Sequence, residues 1–132
     1  MTTEELKRFS ANYTAAWNSQ NSDSVALHFC ETGSLYVNGT PAKGREAISD
    51  VAQGFMSAFP DMELVMDKLD LESERIQYHW TFIGTNTGPE GTGNAVKFSG
   101  YEEWTFDSDG LIEISMGHFN NDEYEYQLEH GV

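Results

Sequence analysis

A stretch of strict two-residue alternation, residues 96–106, constrains the fold of this chain more than any other feature. Such alternation is typical of a half-buried β-strand whose two faces meet different surroundings. The apolar face of this strand carries Val96, Phe98, Trp104 and Phe106, with Glu102 in the middle of it. An ionised carboxylate in apolar surroundings is unfavourable unless it is paired, so it acquires either partners or a proton. Glu102 is therefore the first candidate for a functional site.

The rest of the chain predicts helices first and strands afterwards. Thr2 and Glu5 have the spacing of a capping box and open a first helix. A short second helix begins near Ser22 or Asp23, and a third follows Gly44 and ends before a proline at residue 60. Strands are expected at residues 34–38, 62–71, 75–84, 96–106 and 111–120, with no further helix. This order indicates an α+β fold with an antiparallel sheet, formed as a single domain over residues 1–132.

The last two strands can be aligned from the turn between them. The segment from Asp107 to Leu111 predicts a three-residue hairpin loop with Gly110 in the left-handed conformation. Directly opposed residues of a strand pair share a face. Counting back from Asp107 opposite Leu111 predicts three opposed pairs: Glu102 with Met116, Gly100 with His118, and Phe98 with Asn120.

This register places Glu102, His118 and Asn120 on one apolar wall. A carboxylate near an imidazole forms an acid/base pair, and an asparagine can orient a substrate carbonyl or hydroxyl. Gly100 leaves a gap through which a ligand could approach. Large side chains from the helices and strands supply the apolar lining expected of a small-molecule site: Tyr13, Trp17, Phe55, Phe59, Trp80 and Trp104.

Three other interpretations of these residues remain open. His118 and Asn120 lie at the end of a strand, where polar side chains often meet solvent. A β-bulge would move both residues to the opposite face. Glu102 could also form a purely structural ion pair with Arg45 or Arg75.

Composition narrows the classes of partner. The formal net charge is −15, from 22 acidic and 7 basic residues, which disfavours nucleic acid and anionic membranes. The single cysteine, Cys30, allows no intrachain disulfide. No signal peptide, membrane-spanning run or metal-ligand spacing is recognisable, so a cytoplasmic protein with no metal and no cofactor is expected.

Several short motifs then resemble one family. They are the segments AAWN at residues 15–18, GREAI at 44–48, AFPD at 58–61, WTFIGT at 80–85 and QL at 127–128. Their order and spacing are similar to the SnoaL-like polyketide cyclase family, within the nuclear transport factor 2-like superfamily that includes ketosteroid isomerase. The resemblance spans nearly the whole chain.

The resemblance implies a cone-shaped α+β fold, in which a curved antiparallel sheet wraps around the N-terminal helices and encloses a pocket. It implies a homodimer packed through the outer face of the sheet, and cofactor-independent proton transfer. The position of the family's acid/base aspartate falls on Asn120. Glu102 falls on the cyclase histidine and on the oxyanion-stabilising aspartate of the isomerase, whose general base falls near Asn38, a further substrate-binding candidate.

Two functional hypotheses follow. The first is an enzyme of the cyclase, isomerase or dehydratase type acting on a small, apolar, oxygenated substrate, which would make it a lyase or an isomerase. Glu102 would be its general acid/base, with His118 and Asn120 as partners. The second is a non-catalytic domain of the same fold that binds a small ligand or only dimerises.

Overall fold

Most of the helices precede most of the strands in the computed structural model, which describes residues 1–72 and 74–132. Four helices and six strands are present among these residues, in the order α1 (Thr3–Asn18), α2 (Ser22–Ala26), β1 (Phe29–Val37), β2 (Thr40–Lys43), α3 (Arg45–Ala58), β3 (Glu63–Asp70), β4 (Ile76–Thr85), β5 (Ala95–Phe106), β6 (Ile112–Phe119) and α4 (Asn121–His130). The α+β class is thereby confirmed.

The strands of the described residues form one six-stranded sheet in the order β2-β1-β6-β5-β4-β3. All neighbouring pairs are antiparallel except β1 and β6, which run parallel. The sheet is therefore mixed and not purely antiparallel as predicted. It is open, with β2 at one edge and β3 at the other. The long stretch of chain between β1 and β6 permits this parallel pair, which a hairpin could not connect.

Local signals explain the ends of the helices. Thr2 and Glu5 form the predicted reciprocal capping box at the start of α1. Asn21, not Ser22 or Asp23, caps α2 by accepting a hydrogen bond from the Asp23 backbone. Helix α3 ends at Ala58, two residues before Pro60, as predicted. No helix in the described part of the chain is both long and apolar enough to cross a membrane.

Helix α4 was not predicted, because the tail was interpreted as ending in a strand. Its signal is Asn120, whose side-chain oxygen accepts from the backbone N–H of Glu123 at 3.0 Å and so caps the helix. Tyr124 and Leu128 then lie one turn apart and pack against the core. Gln127 fixes the helix to β5 through hydrogen bonds to both backbone groups of Lys97.

The core lies between the helices and one face of the sheet, here called the inner face. Side chains that alternate inward from β4 and β5 are buried there, and α1 and α3 contribute their apolar sides. The opposite, outer face of the sheet carries His79, Tyr101 and His118 in ring contact across three adjacent strands. This division decides which predicted site residues can meet.

Candidate functional site

The turn between β5 and β6 forms as predicted, but a bulge follows it. The Asp107 N–H donates to the Leu111 carbonyl at 2.9 Å, and Gly110 adopts φ +79°. Phe106 pairs with Ile112, yet Thr105 pairs with Ile114, so Glu113 is an extra residue in β6. A single extra residue shifts the register of everything beyond it. The predicted pairing of Glu102 with Met116 is therefore wrong, and Glu102 pairs with Gly117.

The bulge puts Ser115 on the inner face of the sheet. The predicted register had instead put the residues on either side of Ser115 there. Because Trp104 pairs with Ser115, the hydroxyl of Ser115 comes beside Glu102. Ser115 Oγ donates to Glu102 Oε1 at 2.6 Å, and the Ser115 side chain is fully buried. The site thus includes a serine that the sequence pattern missed, since the only signal for it is a bulge.

The Glu102 carboxyl is buried, with 6% of the residue exposed, and is bonded asymmetrically. Besides Ser115, the Tyr13 hydroxyl donates to Oε1 at 2.8 Å and the Trp104 indole N–H donates to the same oxygen at 3.1 Å. No described residue bonds to Oε2, and this oxygen is not among the buried atoms left without a partner. Oε2 is therefore the oxygen that keeps accessible surface, and Glu102 lines the cavity described below.

Burial controls the ionisation of this cluster. Desolvation raises the pKa of Glu102 above that of an ordinary glutamate, although hydrogen bonds from Ser115, Trp104 and Tyr13 lower it in part. Burial, and then the charge of Glu102, raise the pKa of Tyr13 well above its ordinary value. Tyr13 consequently stays a hydrogen-bond donor. When Glu102 is neutral, three donors already occupy Oε1, so its proton lies on Oε2.

The cavity beside Oε2 is small and predominantly apolar. Its volume is about 60 Å³, so it suits a small ligand. Aromatic rings from helices and strands form much of its wall, together with aliphatic side chains and Gly117: Trp17, Leu35, Val37, Val51, Phe55, Leu64, Trp80, Phe82, Phe98 and Phe119. Tyr36 also lines it, but its pairing with Pro41 and Met116 places its side chain on the outer face.

The predicted lining residues divide into three groups. Trp17, Phe55 and Trp80 line the cavity. Tyr13 and Trp104 lie behind it and donate to Glu102. Phe59 does not line it but is fully buried against Phe82 and Gly84.

His118 lies outside this site, which corrects its predicted position. The bulge places it opposite Tyr101 on the outer face. There His118 Nε2 is 3.2 Å from Glu103 Oε1 and its ring contacts Tyr101. Gly100 offers no gap for a ligand either, because the His118 carbonyl oxygen, the Trp80 indole and Phe119 fill the space that a side chain at Gly100 would occupy.

The two asparagines also have positions that differ from the prediction. Asn120 is exposed and caps α4. Asn38 is exposed in the turn after β1 with φ +48°, where its side-chain oxygen accepts from the Phe119 N–H at 2.9 Å. Neither lines the cavity. Both satisfy backbone groups at the ends of elements, a role for which short amides are well suited.

Arg45 does not pair with Glu102, since its Nε donates to the Phe29 carbonyl at 2.9 Å. Two indole N–H groups of the cavity wall, those of Trp17 and Trp80, are buried without a hydrogen-bond partner. Over residues 1–72 and 74–132, no three His, Cys, Asp or Glu side chains cluster as ligands for a metal ion.

Comparison with known proteins identifies the family. Residues 11–113 match the model of the SnoaL-like domain. Because the match covers most of the chain, the protein belongs to the SnoaL-like family, as its motifs indicated. No curated protein matches it.

Solved structures share the fold at low sequence identity. AclR from Streptomyces galilaeus is 22% identical with a TM-score of 0.81, over 98% of this chain and 83% of that one. SalBIII, an epoxide hydrolase/cyclase-like enzyme with a role in pyran ring formation in the polyether salinomycin, is 18% identical with a TM-score of 0.76, over 93% and 97%. A protein with a ketosteroid isomerase-like fold from Catenulispora acidiphila is 14% identical with a TM-score of 0.74, over 87% of each chain. At these identities the likeness establishes the fold.

Proposed function

We propose that this SnoaL-like protein is a cofactor-independent enzyme in which Glu102 transfers a proton to and from a small, largely apolar, oxygenated substrate. The observation that carries the proposal is the asymmetry of the carboxyl. Three donors hold Oε1, whereas Oε2 stays accessible beside the cavity. A carboxyl fixed at one oxygen and open at the other presents its proton in a single direction, as a positioned general acid requires.

The raised pKa of Glu102 supports this role. A general acid/base works best when its pKa approaches the working pH, and burial moves the pKa of Glu102 in that direction. Tyr13, Ser115 and Trp104 act through Glu102 and are positioning residues. The carboxyl can give its proton and later take one back, so one residue serves both halves of a cyclisation, isomerisation or dehydration.

Isosteric substitution provides the test. Wild type and Glu102→Gln would be offered a β,γ-unsaturated ketone, a β-hydroxy ketone and a hydroxy epoxide, with conversion followed by NMR. We expect turnover of at least one by the wild type and a kcat lower by about 10²-fold or more in Glu102→Gln. Glu103→Gln, the next residue on the outer face, is the matched control and should keep the activity. Unchanged turnover in Glu102→Gln would contradict the proposal.

A non-catalytic ligand-binding domain is the second candidate. The observation that favours it is the position of His118, which lies on the outer face of the sheet and not beside Glu102. Among the described lining residues, Glu102 is then the only carboxyl or imidazole. Ligand binding without conversion, together with Glu102→Gln binding the same ligand as tightly as wild type, would support this candidate over the enzyme.

We also infer a homodimer formed through the outer face of the sheet. Val65, Ile83 and Ile114 are each more than a third exposed, and their registers place them on this face. Val65 and Ile83 lie near one end of this face and Ile114 near the other, and apolar side chains on an exposed sheet face favour association. Light scattering should give twice the chain mass for the wild type and a lower mass for Ile83→Glu. A monomeric wild type would refute the dimer.

A further inference from the structure

Six aromatic rings form a continuous wall around the cavity next to Glu102. Neighbouring rings of this wall have centroids 5.2–6.2 Å apart. The neighbouring pairs are Trp17–Phe55, Phe55–Phe82, Phe82–Phe98, Phe98–Phe119 and Phe98–Trp80. No Lys, Arg or His is among the described residues that line the cavity. An aromatic ring carries a negative quadrupole on its face and attracts positive charge. The wall is therefore suited to a cation.

The hydrogen-bond donors near the cavity are not available to stabilise negative charge. An enolate or oxyanion needs donors aimed at the position where its charge develops. Tyr13, Ser115 and Trp104 instead donate to Glu102. The free indole N–H groups of Trp17 and Trp80 have no accessible surface. Glu102 Oε2 is thus the one accessible polar group identified on the wall.

We propose that the cavity stabilises positive charge developing on a substrate carbon, so that its reaction breaks a carbon–oxygen bond instead of forming an enolate. This inference rests on the proposed acid/base role of Glu102 and specifies the substrate class. The substrate is a small lipophilic molecule with an alcohol or cyclic ether oxygen on a carbon that can carry positive charge, and with a second hydroxyl within reach.

The step balances with one carboxyl and no further reactant. Glu102 Oε2–H gives its proton to the substrate oxygen, and the carbon–oxygen bond breaks with its electron pair going to that oxygen. The aromatic wall stabilises the positive carbon. The second hydroxyl then donates a lone pair to this carbon, a new carbon–oxygen bond forms, and the hydroxyl proton returns to Glu102. A cyclic ether substrate is isomerised to a different ring, and an alcohol substrate releases water as its ring closes.

A pair of isosteric probes tests this electrostatic preference without the substrate. Choline and 3,3-dimethyl-1-butanol have the same shape, but one carries a trimethylammonium group and the other a neutral tert-butyl group. Binding of each would be measured by calorimetry to Glu102→Gln, in which attraction by a carboxylate is absent. We expect choline to bind about tenfold tighter than the alcohol, as contact with several desolvated rings implies.

Ring-to-aliphatic variants separate the wall from general packing. Phe119→Leu, made in the Glu102→Gln background, should reduce the preference for choline severalfold and leave the binding of the alcohol unchanged. Phe106→Leu is the matched control, because Phe106 contacts Phe9 and Trp104 away from the cavity. It should keep the preference.

The inference is overturned if the alcohol binds as tightly as choline, if Phe119→Leu and Phe106→Leu behave alike, or if neither probe binds at millimolar concentration. These results would leave the acid/base role of Glu102 standing, because that role depends on the turnover comparison of wild type and Glu102→Gln. Conversely, unchanged turnover in Glu102→Gln together with a strong preference for choline would overturn the bond-breaking step. The cavity would then be a site that binds organic cations.

Discussion

Glu102→Gln should convert the burial of this carboxyl into a measurable pH dependence of stability. The glutamine amide oxygen can accept the same three hydrogen bonds, from Tyr13, Trp104 and Ser115, while the ionisable group is lost. The folded-state pKa of Glu102 is raised, so over a range of pH the folded chain keeps a proton that the unfolded chain loses. Stability from this group is then fully present below about pH 4.3, the ordinary pKa of glutamate, and is lost as pH rises through the folded pKa.

The size of the effect follows from the size of the pKa shift. Each unit by which the folded pKa exceeds the unfolded pKa corresponds to about 1.4 kcal/mol of stability lost above the folded pKa. For a chain of this length, that changes Tm by roughly 5 °C. The free energy of unfolding of wild type and variant would be measured by urea titration from pH 4 to pH 8. The two should be similar at the acidic end, and the wild type should fall progressively below the variant.

The difference between the two proteins cancels the titration of the other acidic residues. Glu113→Gln removes an exposed carboxyl from β6 and controls for the change in net charge. Parallel curves for wild type and Glu102→Gln, or a wild type that gains stability relative to the variant as pH rises, would refute the reasoning. Parallel curves would mean that hydrogen bonds to Oε1 balance desolvation, and a relative gain would mean that they outweigh it. In both cases Glu102 is ionised in the folded chain at neutral pH.

Three further substitutions test the site and its supports. Ser115→Ala removes a buried donor to Glu102, so the free energy of unfolding should fall by about 1 kcal/mol. The pKa of Glu102, followed by NMR titration, should rise further, and an unchanged pKa would contradict the assigned hydrogen bond. Gly117→Ala puts a Cβ 2.9 Å from the Tyr36 carbonyl oxygen and into the cavity wall, so Tm and ligand affinity should both fall. If both are retained, the backbone of β1 shifts to make room without loss of stability. Asn120→Ala loses the cap of α4, so the free energy of unfolding in denaturant should fall by about 1 kcal/mol while turnover stays unchanged. A loss of turnover with no loss of stability would instead mean that Asn120 acts in the functional site.

Local signals in the sequence predicted most of the fold. The capping box of α1, the end of α3 before Pro60 and the left-handed Gly110 all form as expected, because each depends on neighbours within a few residues. Alternation also identified β5 and the burial of Glu102. Helix α4 was missed, because the cap at Asn120 was interpreted as the end of a strand.

The partners of Glu102 were only partly predictable. Tyr13 and Trp104 were expected near it as lining, but not as donors to the carboxyl. The Tyr13 bond joins residues 89 positions apart and depends on how α1 packs on the sheet, whereas the Trp104 bond joins residues 2 positions apart within β5. Ser115 could not be found without the bulge at Glu113. A bulge depends on the competition between two nearly equal registers, which local sequence does not resolve.

The bulge at Glu113 also means that β6 has a second register available to it, which protein engineering can select. Ile112 and Ser115 both face inward only because Glu113, one of the two residues between them, is unpaired. Were that unpaired residue moved to the far end of β6, Met116 and His118 would replace Gly117 and Phe119 on the inner face. The same amino acids would then offer a methionine where they now offer a glycine, and an imidazole where they now offer a phenyl ring. A library that shifts the bulge by single-residue insertion and deletion would therefore sample new catalytic groups without changing the scaffold.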